Sequence, residues 1–206
     1  KILSEFAKNI AERNLSTSSV NSAEKKAFRI GLAGALSNIA YVHDIKGEIS
    51  TAMEYYSQAL KMYEILDHRE GMASSLNNIG YIYVNQGDSA AALEYYHKSL
   101  KIEEEIGSKE RIASSLTNIG AIYSHQDDIT LALEYYHRSY TMCHEIGYKE
   151  GMASALNNIG VIYSGEGDSE QALAYFHKAL KLKKEIGDKE GLAFSLSNIG
   201  NVYENL

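Results

Sequence analysis

The feature that most constrains this sequence is a repeat of forty residues. Five similar segments read LSNIAYVHDIKGE, LNNIGYIYVNQGD, LTNIGAIYSHQDD, LNNIGVIYSGEGD and LSNIGNVYENL, and they begin at Leu36, Leu76, Leu116, Leu156 and Leu196. A second block follows each of the first four segments and begins at Ala52, Ala92, Ala132 and Ala172. Such self-similarity is typical of proteins built from stacked units, in which each unit contacts only its neighbours.

Both blocks have the apolar spacing of an α-helix. In the first block, Leu76, Ile79 and Tyr83 fall on one stripe of a helix, and in the second, Ala92 and Tyr96 lie one turn apart. Glycine-acid pairs separate the blocks in three units and Asp127-Asp128 in the third copy, and segments such as GSKE, GYKE and GDKE separate successive units. Glycine ends helices readily because it adopts the left-handed conformation without strain. Each unit is therefore predicted to be a hairpin of two helices.

Small and aromatic residues recur at fixed positions and predict how the helices pack. The first helix carries a small residue in every copy: Ala40, Gly80, Gly120, Gly160 and Gly200. We expect these residues to face the alanines that open the second helix, so that the two backbones approach closely. Two aromatic sets should then fill the space between successive hairpins: Tyr83, Tyr123 and Tyr163, and Tyr96, Tyr136 and Phe176.

The spacing of Leu76, Ile79, Gly80, Tyr83, Ala92, Tyr96 and Ser99 resembles the tetratricopeptide repeat (TPR) over residues 33–206. The resemblance implies an all-α, right-handed superhelical solenoid of antiparallel helix pairs. Leucine replaces the family's usual tryptophan, and its usual proline is replaced by Glu64, Glu104, His144 and Lys184. Without that proline the second helix should run about six residues longer, which accounts for forty residues rather than the usual thirty-four.

The long unit is similar to the repeats of Pins-type spindle-orientation adaptors and kinesin light chain. It also resembles those of bacterial sensor kinases, cyclases and transcription regulators. We expect an N-terminal helix and polar linker in residues 1–22 and a TPR solenoid in residues 23–206, its first helix spanning residues 23–46. The repeats would cover about 33–72, 73–112, 113–152 and 153–192, with a half-repeat at 193–206. Because the last helix has no partner, we expect the chain to be part of a larger polypeptide.

Composition argues against several classes of function. The net charge is −7, from 27 acidic and 20 basic residues, and no long cluster of Lys and Arg is present. Nucleic acid and anionic membranes are therefore not expected partners. A single cysteine, Cys143, gives no sign of an oxidising compartment, so we expect a cytoplasmic location. No phosphate-binding loop, metalloprotease motif or nucleophile elbow occurs, so we expect neither an enzyme nor a cofactor.

Recurrent histidines raise the question of a metal site. His97, His137 and His177 are forty residues apart, and equivalent positions in stacked units lie at least about 10 Å apart. Zinc ligands must converge to within about 2.1 Å of one ion. We therefore expect exposed outer-face histidines and no metal. The acidic Glu103–Glu105 run and the EIG-x-KE segments are interpreted as solvated helix ends.

A column of asparagines is the strongest functional signal. Asn38, Asn78, Asn118, Asn158 and Asn198 recur directly before the apolar Ile. The resemblance implies that this column lines the concave face, where asparagines of the family bind the backbone of an extended peptide. An amide can both donate and accept hydrogen bonds, which suits this role. In the alternative interpretation, the amides bond the adjacent helix and order the stack.

Neighbouring positions complete the predicted groove. Tyr41, Tyr81, Asn77, Asn157 and His125 are candidate contacts. Chaperone-binding relatives place lysine on this face to bind a terminal carboxylate. The matching positions here are Gly34, Ser74, Ser114, Ser154 and Phe194. We therefore expect an internal peptide segment rather than a free C-terminus.

Two functions remain open from the sequence. The first is a non-catalytic protein interaction scaffold that binds an extended or helical peptide in its concave groove. The alternative is a regulatory or sensory TPR segment of a larger bacterial signalling protein, such as a histidine kinase, nucleotide cyclase or transcription regulator. In that case the partner would be the same chain or a second copy, with the exposed C-terminal half-repeat as a candidate surface for self-association.

Overall fold

The computed structural model describes residues 22–205, and this part of the chain is all-α. Its helices are α1 (Ser22–Ile45), α2 (Ile49–Ile65), α3 (Arg69–Asn85), α4 (Ser89–Ile106), α5 (Lys109–His125), α6 (Ile129–Glu145), α7 (Lys149–Gly165), α8 (Ser169–Ile186) and α9 (Lys189–Glu204). The first helix agrees with the predicted bounds to within one residue. The helix predicted for residues 1–14 lies outside the described residues, as does all of the predicted linker except Ser22.

The helices belong to two compact units, one ending at Ile106 and the other beginning at Gly107. In the first unit, α1 pairs with α2 and α3 with α4, and α2 packs on α3. In the second, α5 pairs with α6 and α7 with α8, while α6 packs on α7 and α8 on α9. The predicted all-α fold of stacked helix pairs is confirmed.

In the hairpins α3–α4, α5–α6 and α7–α8, the turn combines a left-handed residue with a helix cap. Gly167 has φ +77° and ends α7, and the Asp168 carboxylate then accepts a hydrogen bond from the Gln171 N–H at 3.0 Å. In the hairpin of α5 and α6, Asp127 takes the left-handed position at φ 63° and Asp128 caps α6. The pair of residues thus stops one helix and starts the next within three residues.

The second helix of each hairpin continues past the position of the missing proline, but by less than the sequence predicts. Helices α2, α4, α6 and α8 contain 17 or 18 residues each. Each of them continues beyond the position where the family usually has proline, and Lys184 is still two residues from the end of α8. The second helices pass the proline position by one or two residues rather than the six expected, and the first helices α3, α5 and α7 are also 17 residues long. Both helices of the unit therefore contribute to its length of forty residues.

The glycines of α3, α5 and α7 face aromatic rings, whereas the sequence predicted alanine; the expected small pair is found in the first hairpin, where Ala40 and Ala52 share a buried cluster. A Cβ atom added at Gly160 would lie 2.7 Å from the ring of Phe176, and one at Gly120 would lie 2.9 Å from the ring of Tyr136. The glycines therefore make room for a ring of the same hairpin. Tyr136 also packs against Ile159 of the next hairpin, so this ring joins two hairpins as predicted.

The other aromatic set lies mainly within hairpins, whereas the sequence placed it between them. Tyr123 stacks on Tyr135 with ring centroids 5.5 Å apart, and Tyr163 stacks on Tyr175 at the same distance. The pair sits near the turn because one ring comes from the end of the first helix and the other from the start of the second. Stacked pairs of this kind add about 0.5–1.5 kcal/mol beyond the burial of their area.

Polar contacts also connect the two helices of a hairpin. The buried Ser139 hydroxyl of α6 donates to the Ala113 carbonyl of α5 at 2.9 Å. At the open end of the same hairpin, Lys109 Nζ contacts a Glu145 carboxylate oxygen at 2.6 Å. Lys149 and Glu185 repeat this ion pair in the next hairpin at 2.8 Å. The hairpin of α5 and α6 is thus held at the turn, in the middle and at the open end.

A matched pair of glycine substitutions tests the contact between ring and glycine. Gly160→Ala should lower the free energy of unfolding by about 1–3 kcal/mol, because the added methyl group overlaps the Phe176 ring. Gly200 occupies the same repeat position in α9, where nothing lies within 4 Å of an added Cβ. Gly200→Ala should therefore stabilise by about 0.5–1 kcal/mol through helix propensity. Urea unfolding followed by circular dichroism measures both; equal effects would contradict the packing described.

Alkaline pH tests the burial of the hairpin tyrosines. Burial raises the pKa of Tyr136 to about 12. Because the folded-state pKa exceeds the unfolded value, this group's contribution is fully present below about pH 10 and is lost as pH rises through about 12. Tyr136→Phe, which copies Phe176, should therefore make stability fall less between pH 9 and 11. Urea midpoints measured across that range check this, and an unchanged slope would contradict it.

Candidate functional site

The asparagine column lies on the first helices of both units. Asn38 and Asn78 belong to α1 and α3 of the first unit, and Asn118, Asn158 and Asn198 belong to α5, α7 and α9 of the second. Asn38 is exposed and the other four are half-buried. Of the described residues, none forms a hydrogen bond with the side chain of Asn38, Asn78, Asn118 or Asn158. Four of the five amides thus keep their hydrogen-bonding capacity for another molecule.

On the first helices, glutamate, serine and asparagine follow one another at intervals of four residues, so the three side chains form a stripe along one face of the helix. On α7 the stripe is Glu150, Ser154 and Asn158, and the Ser154 hydroxyl donates to the Glu150 carbonyl at 3.1 Å. Ser114 on α5 makes the same bond to Glu110 at 3.1 Å. Each hydroxyl proton is already used in the bond to the backbone carbonyl. The exposed serine oxygens therefore remain available as hydrogen-bond acceptors.

Two depressions in the second unit adjoin the column. The larger has a volume of about 580 Å³, and its lining includes Asn157, Asn158 and Phe194. The smaller has a volume of about 210 Å³, and its lining includes Asn118 and Tyr148. Glu150 and Ser154 line both depressions. The stripe of α7 therefore borders two concave surfaces of one unit.

One pair of candidate residues bonds to each other. The Asn198 amide of α9 donates from Nδ2 to Oδ1 of Asn157 on α7 at 2.9 Å. Asn157 is only 8% exposed, so its oxygen would otherwise lack a partner in a buried setting. This pair corresponds to the alternative interpretation of the column, in which an amide orders the stack.

Tyr41, Tyr81 and His125 are exposed, while Asn77 is half-buried. Tyr41 and Tyr81 are 58% and 52% exposed, and Val161 takes the same repeat position on α7 at 47%. His125 is exposed at the end of α5 and lines neither depression. The structure thus brings Asn157, Asn158 and Asn198 together, while Tyr41 and Tyr81 lie on separate helices of the first unit.

A paired lysine lies at the edge of the larger depression. Lys183 Nζ contacts Asp188 Oδ2 at 2.7 Å, and the Asp188 carboxylate also accepts from the Gly191 N–H at 2.9 Å. The bond from Lys183, followed by that from Gly191, lowers the pKa of Asp188. The lysine charge is therefore balanced within the wall of the depression.

Two acidic residues of the site were not predicted from the sequence. Glu150 and Glu190 line the larger depression, but the segments that contain them were interpreted only as solvated helix ends. Their signal was present in the sequence, since glutamate recurs every forty residues at Glu70, Glu110, Glu150 and Glu190. Phe194 was noted only as an exception to the serine column.

Other recurrent groups lie apart from this surface. His97, His137 and His177 are exposed on second helices. Over residues 22–205, no group of three His, Cys, Asp or Glu side chains is arranged to hold a metal ion. Cys143 is buried behind the smaller depression, and burial raises the pKa of its thiol. In the same residues, none of the helices has the length and apolar character needed to cross a bilayer.

Comparison with family models identifies the repeat. One tetratricopeptide repeat model matches residues 71–145 and 151–206, and a second matches residues 33–65. The chain belongs to the tetratricopeptide repeat family. Its exact spacing of forty residues and its nine long helices within residues 22–205 are features of this TPR chain. No curated protein is significantly similar to it in sequence.

Solved structures share the TPR fold at low sequence identity. BtubC (BKLC) from P. vanneervenii superposes with a TM-score of 0.80 and 21% identity, over 98% of this chain and 79% of that protein. Aspartyl phosphate phosphatase F from Bacillus subtilis gives 0.76 and 16%, over 89% and 53%. The nearly identical TPR-like repeats of a Podosopora anserina protein assigned to the kinesin light chains give 0.67 and 13%, over 82% and 84%. At these identities the likeness concerns the fold alone.

Substitutions in the asparagine column test whether the hydrogen-bonded amide of Asn198 contributes more to stability than an amide without a bond. Asn198→Ala removes the partner of the buried Asn157 oxygen, whereas Asn118→Ala removes an amide without a bond among the described residues. Both changes gain similar helix propensity. Asn198→Ala should therefore be less stable than Asn118→Ala by about 1 kcal/mol in urea unfolding. Equal stabilities would show that the pair does not support the packing of α9.

Proposed function

We propose that this TPR chain is a non-catalytic scaffold in the cytoplasm that binds a peptide segment of another protein in its concave groove. The observation that carries the proposal is the amide column: Asn78, Asn118 and Asn158 recur at one helical phase and bond no described side chain or backbone group. Asparagine is a mediocre helix former, so its repetition at unpaired positions favours a binding role. An amide can hold a peptide unit whatever its side chain.

The proposed contact residues differ between the two units. In the first unit they are Asn38 and Asn78, with Asn77, Tyr41 and Tyr81 as neighbours. In the second unit they are Asn118, Asn158, Asn157, Asn198 and His125. The exposed rings of Tyr41 and Tyr81 would supply apolar contacts with the peptide side chains. Ser114 and Ser154 stand where carboxylate-binding relatives have lysine, so the expected ligand is an internal segment, either extended or helical.

A peptide library tests this proposal. Random twelve-residue peptides blocked at both termini would be selected on the immobilised full chain, and the dissociation constants of the enriched peptides measured by fluorescence anisotropy. Asn118→Ala combined with Asn158→Ala should weaken binding at least about tenfold, since each lost amide removes hydrogen bonds worth about 0.5–1.5 kcal/mol. A matched control, Asn85→Ala with Gln171→Ala, removes two exposed amides elsewhere and should leave binding unchanged.

Two results of the library selection would contradict the proposal. If the enriched peptides bind the variant with Asn118→Ala and Asn158→Ala as tightly as the unaltered chain, the amides do not hold the peptide. A selection that yields no binder in repeated rounds would contradict the scaffold itself. Circular dichroism of both variants verifies that the helices are retained, which is expected because all four side chains are exposed or half-buried.

A second candidate function is favoured by apolar residues that are exposed on α9. Leu196 and Tyr203 are 56% and 59% exposed, whereas the equivalent Leu116 is 1% exposed beneath its partner helix. The alternative proposal is that the chain is a regulatory or sensory segment of a larger signalling protein and associates with a second copy through this face. Pairing two copies along α9 would bury the same apolar residues on both sides, as a two-fold interface requires.

Sedimentation tests this second candidate. Weight-average mass should rise with protein concentration between about 5 and 500 μM, and Leu196→Glu with Tyr203→Glu should abolish the rise by placing charges in the interface. The control Tyr41→Glu with Tyr81→Glu alters two exposed tyrosines of the first unit and should keep the association. A mass that stays monomeric over the whole range would contradict self-association through α9.

A further inference from the structure

The larger depression of the second unit combines groups that no other described part of the column brings together. It is walled by α7, the end of α8 and the start of α9, and has a volume of about 580 Å³. Six lining residues supply its chemistry: Glu150, Asn157, Asn158, Glu190, Phe194 and Ser195. They comprise two carboxylates, two amides, a hydroxyl and an aromatic ring. Such a mixture of one apolar wall with convergent polar groups is typical of a specific binding pocket.

The charge of the depression is negative. Its lining contains the carboxylates of Glu150, Asp188 and Glu190 and one cation, Lys183. Lys183 is bonded to Asp188 at 2.7 Å, so these two charges balance each other. Over the described residues, no ion pair forms with Glu150 or Glu190. Two negative charges are therefore left to attract a cation from outside.

An aromatic ring is exposed beside these carboxylates. Phe194 is 60% exposed, whereas the same repeat position holds Ser74, Ser114 and Ser154 in the earlier helices. A large apolar ring open to solvent is a favourable surface for a cation or a planar guanidinium group. Helix α9 therefore carries an aromatic ring beside the depression, at the position where α3, α5 and α7 carry a serine.

Two nearly buried polar groups in the wall lack partners. Ser195 is 2% exposed, and its hydroxyl forms no hydrogen bond with any described residue. Asn157 is 8% exposed, and its oxygen accepts from Asn198, but its Nδ2 donor bonds no group among residues 22–205. Both atoms keep some access to solvent and line the depression, so they are available to bond a molecule that enters it. A donor amide at this position suits the carbonyl of a peptide.

We propose that this depression is a subsite for a basic side chain, arginine in preference to lysine, of the peptide that the scaffold binds. The guanidinium group stacks on Phe194 and bonds the carboxylates of Glu150 and Glu190, while Asn157 Nδ2 donates to a carbonyl of the peptide backbone. This inference rests on the proposed function, because it names the chemistry of the ligand for the same groove. The ligand class is thus a peptide with a cationic residue, and the subsite lies at the C-terminal end of the column.

The smaller depression does not offer the same combination. Its lining includes Glu150 but no second carboxylate, and its aromatic residue, Tyr148, packs near the position of Gly151. Its polar groups include the Ser139 hydroxyl, which already donates to the Ala113 carbonyl. The cationic preference is therefore confined to the depression beside α9, and it would position a basic residue at one defined place along a bound peptide.

A titration with single amino-acid derivatives tests the subsite. The ¹⁵N-labelled full chain is titrated with N-acetyl-arginine methylamide and with the citrulline derivative, which is neutral and nearly the same shape. The arginine derivative should shift the backbone amides of Gly191 and Phe194, and the citrulline derivative should bind at least about fivefold more weakly. Glu150→Gln with Glu190→Gln should reduce arginine binding by a similar factor, as should Phe194→Ser.

The control variant carries Glu110→Gln and Glu170→Gln. These glutamates also lie in first turns of helices, but they do not line the depression, so arginine binding should persist. Equal binding of arginine and citrulline, or arginine binding that survives both Glu150→Gln and Glu190→Gln, would overturn the subsite.

The same experiments distinguish this inference from the scaffold. If selected peptides depend on Asn118 and Asn158 but the arginine derivative shifts no resonance of α9, the subsite is wrong and the scaffold stands. If the arginine derivative binds as expected but no library peptide does, the cationic pocket is supported and the peptide scaffold is overturned. Selected peptides should also be enriched in arginine, and Glu150→Gln with Glu190→Gln should remove that enrichment.

Discussion

The contact of an aromatic ring with a glycine is the constraint on which each hairpin of the second unit depends. Phe176 and Tyr136 lie so near Gly160 and Gly120 that even a methyl group in place of hydrogen would overlap them. The same rings reach the isoleucines of the next first helix, Ile159 in the case of Tyr136. One side chain therefore fixes both the pairing within a hairpin and the stacking of the following hairpin, which is why stability in such a chain is shared between neighbours.

This packing determines which face of the first helix remains available. On α7, Leu156 and Gly160 are covered by α8, and Ile159 and Ile162 are covered by α6. The third face carries Glu150, Ser154 and Asn158, which are left partly or fully exposed. Because the repeat length is constant, every first helix turns the same face outward. Helix packing thus determines where the amide column lies. It does not require asparagine at those positions, so the residue type there can be selected for binding.

Much of the fold could be predicted from the sequence, but the pairing of side chains could not. Periodicity gives the phase of a residue on its helix, so the helix pairs and the left-handed turn residues were correctly predicted. Phase does not reveal which residue of another helix lies opposite, and for that reason the glycines were assigned to alanines rather than to rings such as Phe176. The bond between Asn157 and Asn198 joins residues 41 apart in sequence, and it and the depression beside Phe194 likewise depend on how α7 and α9 are spaced.

A crystal structure of the full chain with a selected peptide would show directly whether the amide column binds peptide. Such binding predicts a peptide lying along α5, α7 and α9, with the Asn158 side chain within about 3.2 Å of a peptide backbone carbonyl or amide group. It also predicts that the amides of Asn118 and Asn158 keep the orientation they have without ligand. A peptide bound to the second helices or to the turns, with the asparagine column still facing solvent, would contradict it.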